Sequence, residues 1–159
     1  MSDGNTKQRL AIIAGHGTLD AAYPPFILAT AAVAMDMEAA IFFTFYGLEI
    51  LKKGKADQLQ IAPIANPAMP MPVPNIVGML PGMTAMATKM MGDKMKKANV
   101  LKISELLNMA KEMGVRLIAC QMTMDAMGIK KEDLIDGVEI GGAATFLDFA
   151  SENAISLAF

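Results

Sequence analysis

The chain has 159 residues, 53% of them apolar, with a formal charge of −2 and one cysteine. That length suits one domain with a real core. The charge gives no argument for a nucleic-acid partner, and a lone cysteine excludes an internal disulfide and an all-cysteine metal site. The start of the chain is polar, acid precedes base, and the apolar run after it stops at Gly15, unlike a signal peptide. Cytoplasm is therefore the default compartment, and a single thiol fits a reducing one.

Residues 10–14 are a continuous apolar run ending in Gly15, His16, Gly17 and Thr18, which reads as a central parallel strand and a tight turn. A helix is expected from Pro24 or Pro25 to about Met35, since proline is tolerated in a first helical turn. Residues 18–22 form a separate short turn before it. Residues 38–45 read as a second strand closed by Tyr46 and Gly47. Residues 48–53 read as a short amphipathic helix ended by Gly54.

Residues 61–88 contain no charged residue, a length that alone would suggest a membrane span. Six prolines from Pro63 to Pro81, at roughly 3 kcal/mol each inside a helix, argue against one. Residues 67–74 read instead as an extended polyproline-like loop, and residues 75–80 as a third strand before a Pro81–Gly82 turn. A helix is expected over 83–97, basic at its end. The cleanest helix covers 104–113, with Ser104 as its N-cap candidate and Ile103, Leu106, Leu107, Ala110 and Met113 on one face.

Residues 115–119 then read as a buried strand closed by Cys120, with Thr123, Asp125 and Gly128 in a following turn or short helix. Residues 132–135 are a helical turn, 138–140 a brief strand into Gly141 and Gly142, 143–152 the last helix, and 155–159 an alternating strand suited to an edge. Residues 1–8 are thus a polar tail and 9–159 one domain, with 61–91 as an apolar insertion rich in proline and methionine.

Strands alternating with helices mean an α/β domain on a mostly parallel sheet. Parallel strands put all their carboxyl ends on one side. One rim should therefore collect residues 15–18, 44–47, 81–84, 120–124 and 141–144. Cys120 is the lead candidate there. Its plain alternative is a buried small hydrophobe; reactivity requires a thiolate. No basic residue is near it in sequence and Asp125 opposes ionisation, so backbone N–H groups, Thr123 or another loop must favour the anion. His16, the only histidine, could pair with the thiol or be a polar turn residue. The glycine turns at 15–18 and 141–142 could hold phosphate but match no full nucleotide motif, and no cofactor is expected. The methionines at 69, 71, 79, 83, 86, 90, 91 and 95 suit core filling or a subunit contact better than Cu(I).

Three stretches together carry a resemblance: residues 17–20, residues 42–48, and residues 119–129 around Cys120. Residues 81–84 and 136–138 agree with them. From about Leu10 onward the chain resembles the DsrE/DsrF-like sulfur-relay family, in its stand-alone, methionine-rich branch. The resemblance implies a three-layer α/β/α sandwich on a five-stranded parallel sheet and assembly into oligomers. It also implies sulfur transfer, with Cys120 accepting sulfane sulfur as a persulfide from or for TusA-like carriers, rhodaneses or other thiol proteins. Gly17, Thr18, Thr44, Gly47, Gln121, Met122, Thr123, Gly141 and Gly142 would form the supporting rim.

The leading expectation is a persulfide carrier, whether or not it counts as a sulfurtransferase enzyme. One rival is a non-catalytic module holding a small anion or nucleotide at the same rim, with Cys120 inert. Another is an oligomeric or membrane-surface scaffold that uses the proline–methionine segment as an apolar patch.

Overall fold

The computed structural model describes residues 7–62 and 80–159. Five short apolar runs pair side by side: β1 (Arg9–Ala14), β2 (Glu38–Phe43), β3 (Arg116–Cys120), β4 (Glu139–Gly141) and β5 (Ala154–Ala158). Every pairing is parallel, in the order β4-β3-β2-β1-β5. β1 to β3 are apolar at nearly every position because both their faces are covered. β5 is an edge strand, as its alternation implies, and its residues are only partly covered.

Alternate residues of the central strands enter two different cores. Leu10, Ile12, Ile41, Phe43 and Leu117 face a large core with α1 (Leu19–Ala34) and α3 (Ile103–Glu112). Ala11, Ala40, Phe42, Ile118 and Cys120 face a small one, closed by Phe146 and Phe149 of α5 (Ala143–Ala150). α5 lies there because the chain must return from β4 at one edge to β5 at the other. The result is the expected three-layer α/β/α sandwich.

Several local expectations are corrected. α1 is one helix from Leu19 with Pro24 and Pro25 inside it, not two pieces. Two missing amide donors are outweighed because one face, from Ala22, Tyr23, Pro25 and Phe26 to Ala29 and Ala32, stays buried on the sheet. Each large apolar side chain so buried contributes about 1.5–3 kcal/mol. β2 stops at Phe43, and residues 45–51 form a 3-10 helix, Phe45–Leu51, in place of a later α-helix. Ser104 is not the N-cap of α3: Lys102 is, its N–H bonded to Glu105 Oε2 at 2.8 Å. The Ser104 hydroxyl binds Asp57 Oδ2 at 2.8 Å instead.

α2 (Met83–Lys97) spans the expected residues. Among the described residues no strand leads into Pro81; Leu80 is a bend. The extended loop at 67–74, the strand at 75–79, Met69, Met71, Met79 and residues 1–6 of the polar tail lie outside the described residues. α4 (Gln121–Met127) begins directly after β3 and ends at Gly128, whose φ of 66° is left-handed. A 3-10 turn, Lys131–Asp133, precedes β4.

The loops after β1 and β2 are pressed together at backbone distance. The Thr44 N–H bonds the Ala14 carbonyl at 3.0 Å. A Cβ on Gly47 would fall onto the Ala14 carbonyl oxygen, and one on Gly17 onto the Tyr46 carbonyl oxygen. Backbone cannot swing aside as a side-chain tip can. Gly47→Ala should therefore destabilise the fold by about 1–3 kcal/mol, the usual range for overpacking. Gly92→Ala in α2, where a Cβ meets nothing within 4 Å, should be neutral or gain about 0.5–1 kcal/mol. Urea unfolding of the two variants checks this, and equal midpoints would refute it.

Candidate functional site

Cys120 is the last residue of β3 and the N-cap of α4. In register it lies opposite Gly141 of β4. Phe43 is opposite Ala119, so Thr44 follows on the other side. Thr44, Cys120 and Gly141 therefore form a row across the carboxyl edge of three adjacent strands. The strand order itself reverses between β1 and β5, one strand away from this row.

The Cys120 side chain points into the smaller core and is 5% exposed. Above that core Phe42 and Phe146 stack at 5.3 Å between ring centroids. Burial pushes the thiol pKa up, and this is the largest single influence. Hydrogen bonds from the Thr123 hydroxyl, the Thr123 N–H, the Thr44 hydroxyl and the Met122 N–H act against it, and together they hold the pKa below its ordinary value. Every one of these donors favours the anion. Asp125 is not among the groups acting on the sulfur; its Oδ1 accepts from Gln121 Nε2 at 2.8 Å at the exposed side of α4.

The two hydroxyls are themselves positioned. Thr123 is 1% exposed, and its Oγ1 lies 3.2 Å from Thr44 Oγ1 and accepts from the Phe45 N–H at 3.2 Å. A hydroxyl has one proton to give and two lone pairs to fill. The Phe45 amide fills one Thr123 lone pair, and one of the two hydroxyl protons joins the Oγ1 atoms, so the other hydroxyl proton is left for the sulfur. That amide points inward because Phe45 has a φ of 47°, uncommon for a residue of its size. Residue 45 was expected to extend β2, and nothing in the sequence signals its left-handed backbone.

The other predicted rim residues divide by place. Gly17 and Gly47 are the close-approach glycines. Thr18 is the N-cap of α1 without a side-chain cap bond, and Gly142 is the N-cap of α5. A Cβ on Gly141 would press on the Thr145 side chain at 2.9–3.0 Å. Gln121 and Met122 are exposed, Met122 by 63%. His16 is also exposed and makes no hydrogen bond or ion pair among the described residues; the structure brings two threonines, not the histidine, to the thiol. Phe45 and Tyr46, in the turn after β2, are 57% and 67% exposed.

Comparison with known proteins fits this geometry. Residues 6–158 match the model of the DsrE/DsrF/DrsH-like family. The chain is 49% identical over 157 residues to the sulfur carrier protein DsrE2 of Allochromatium vinosum, covering 95% of this chain and 98% of that one. It is 35% identical to the uncharacterized protein YrkE of Bacillus subtilis, covering 94% and 96%. Among solved structures, YchN from E. coli superposes with a TM-score of 0.58 at 16% identity, covering 96% of this chain and 99% of that one. MTH1491 from Methanobacterium thermoautotrophicum, a protein of unknown function, gives 0.55 at 12% identity over 96% and 100%. These two likenesses concern the fold alone, but the sequence match spans nearly the whole chain, and the protein belongs to the DsrE/DsrF/DrsH-like family.

Proposed function

We propose that this protein carries sulfane sulfur as a persulfide on Cys120. The observation that carries the reading is the place of a single buried thiol at the end of β3 and the N-cap of α4, beside the Thr44–Thr123 hydroxyl pair; hydrogen-bond donors there lower its pKa against the effect of burial. A structural cysteine needs no such donors, because a neutral thiol is a weak acceptor. The name of the Allochromatium relative, a sulfur carrier, supports the same reading.

In the loading step the Cys120 thiolate attacks the outer sulfur of a donor persulfide. The new bond joins Cys120 Sγ to that sulfur. The donor's S–S bond breaks, and the donor leaves as its thiolate. In the unloading step an acceptor thiolate attacks the same outer sulfur, and the Cys120 thiolate is the leaving group. No external oxidant or reductant is needed, and no second cysteine. A lowered pKa raises the thiolate fraction for loading and makes Cys120 a better leaving group for unloading. The donors act as an oxyanion hole does, fixed in place before the charge appears.

Rhodaneses, TusA-like carriers and other persulfide-bearing thiol proteins are donors or acceptors of this chemistry. With Cys120 only 5% exposed, exchange requires the rim to part. Phe45, Tyr46 and Met122 are the side chains a partner meets first.

Incubation with glutathione persulfide followed by intact-mass measurement tests the carrier role. One added sulfur is expected on the parent protein, removable by dithiothreitol and missing from Cys120→Ser. An adduct that survives that substitution, or never forms, sinks the reading.

The pH dependence has a definite sign. A depressed pKa means that thiolate reactivity persists to lower pH than for a free cysteine and is lost as the pH falls through the folded-state value. Thr123→Val removes a hydroxyl donor, so its iodoacetamide alkylation profile should move to higher pH. Below neutral pH the alkylation rate should drop by at least roughly tenfold, the lower end of what about 1.5–3 kcal/mol for a hydrogen bond to a charged group implies. An unchanged profile would mean that the hydroxyl does not act on the sulfur.

A further inference from the structure

Thr145 is the third residue of α5, the helix that closes the smaller core. A helical threonine commonly turns its hydroxyl back onto the carbonyl four residues earlier. Thr30 does so to Phe26 at 2.8 Å, and Thr88 to Thr84 at 2.7 Å. Thr145 does not. Its Oγ1 has no hydrogen-bond partner among the described residues, and it is not sealed from solvent.

Gly141 decides where that hydroxyl stands. A Cβ on Gly141 would lie 2.9 Å from Thr145 Oγ1 and 3.0 Å from Thr145 Cβ and Cγ2. The threonine side chain thus rests on bare backbone, where a larger residue at 141 would exclude it. Gly141 is the register partner of Cys120. Partners on parallel strands project to the same face, and neighbouring strands lie about 4.7–4.9 Å apart. Cys120 and Thr145 therefore share the α5 face of the sheet, over adjacent strands.

The resting thiol does not use this hydroxyl. Its donors come from Thr44, Thr123 and Met122, on the β2 side and at the start of α4. On the β4 side Gly141 presents no side chain. A second sulfur bonded to Sγ, at an S–S length of about 2.0 Å, has that side left to it, toward Thr145. A persulfide is a stronger acid than its parent thiol, so its outer sulfur is an anion near neutral pH. Loading thus creates an acceptor that the free thiol lacks.

We propose that the Thr145 hydroxyl donates a hydrogen bond to the outer sulfur of the Cys120 persulfide. Thr44 and Thr123 serve the inner sulfur, and Thr145 serves the outer one. The inference rests on the carrier reading and adds a residue to it. The hydroxyl keeps its proton, so the bonds made and broken in loading and unloading are unchanged. Thr145 acts on an anion present only in the loaded protein, and so stabilises the cargo without altering the free thiol.

Thr145→Val keeps the branched shape and deletes the donor; Thr145→Ser restores a hydroxyl. Each protein is equilibrated with a mixture of glutathione persulfide and glutathione, and the loaded fraction is read by intact mass. The loaded-to-free ratio should fall by at least roughly tenfold in Thr145→Val, as for loss of one hydrogen bond to a charged group, and recover in Thr145→Ser. The near-ultraviolet absorbance of the persulfide anion should titrate at higher pH in Thr145→Val, because the anion has lost a donor. Alkylation of the unloaded thiol should keep the parent's pH profile, unlike that of Thr123→Val. Unchanged circular dichroism confirms that the variants fold. Equal loading and equal persulfide titration in the parent and Thr145→Val overturn the assignment and leave the carrier reading standing. A parent that takes up no sulfur overturns both. An alkylation profile displaced together with the loading would make Thr145 a group acting on the thiol itself, which also overturns the assignment.

Discussion

The site depends on one close approach of two backbones. At the carboxyl edge of the sheet the loops after β1 and β2 touch through the Thr44–Ala14 hydrogen bond, with no room for a side chain at Gly47 or Gly17. That contact ends β2 at Phe43 and turns the chain abruptly into the 3-10 helix at Phe45. The turn leaves Thr44 beside Cys120 and aims the Phe45 amide at Thr123. Had β2 continued straight, its next amides would have pointed along the sheet and the Thr123 hydroxyl would have lacked its partner.

Around the thiol two opposing effects are both large. Removal from water disfavours the thiolate, and the Phe42–Phe146 layer maintains that penalty. The compensation comes from neutral dipoles, two hydroxyls and two amides, without any cation. Such donors cost little when the sulfur is uncharged and gain strength when it ionises, because charge-assisted hydrogen bonds are roughly twice as strong as neutral ones. The same arrangement serves a thiolate whether it is attacking or departing. A lysine in place of these donors would also have to be buried, at a desolvation cost of several kcal/mol.

Much of this is legible in the sequence alone. The largely apolar runs at 10–14, 38–45 and 115–119 point to buried strands, alternation with helices makes them parallel, and parallel strands bring their carboxyl ends together. Cys120 at such an end, followed by residues able to start a helix, was therefore placed by topology. That any lowering of its pKa had to come from backbone N–H groups, Thr123 or another loop followed from what the neighbouring sequence lacks. The errors have local causes. Prolines at 24 and 25 read as a helix start because propensity takes no account of a face buried on a sheet. Residues 44 and 45 read as strand because their β-propensity is high, and a left-handed Phe45 leaves no mark in composition. His16 drew attention as the one imidazole in a turn, yet it faces solvent.

Period and composition by themselves determined the class of fold, the direction of the strands, the edge position of β5 and the end of the sheet that collects the loops. These follow from short-range rules, in which a run of apolar residues needs cover on both faces and a parallel pair needs a crossover. Only the tertiary structure decided which groups reach the sulfur. Thr44 and Thr123 are 79 positions apart in the chain, and nothing local couples them. Their meeting depends on the register of β2 beside β3 and on glycines that let two backbones touch, so the balance between burial and hydrogen bonding at Cys120 is a property of the assembled sheet.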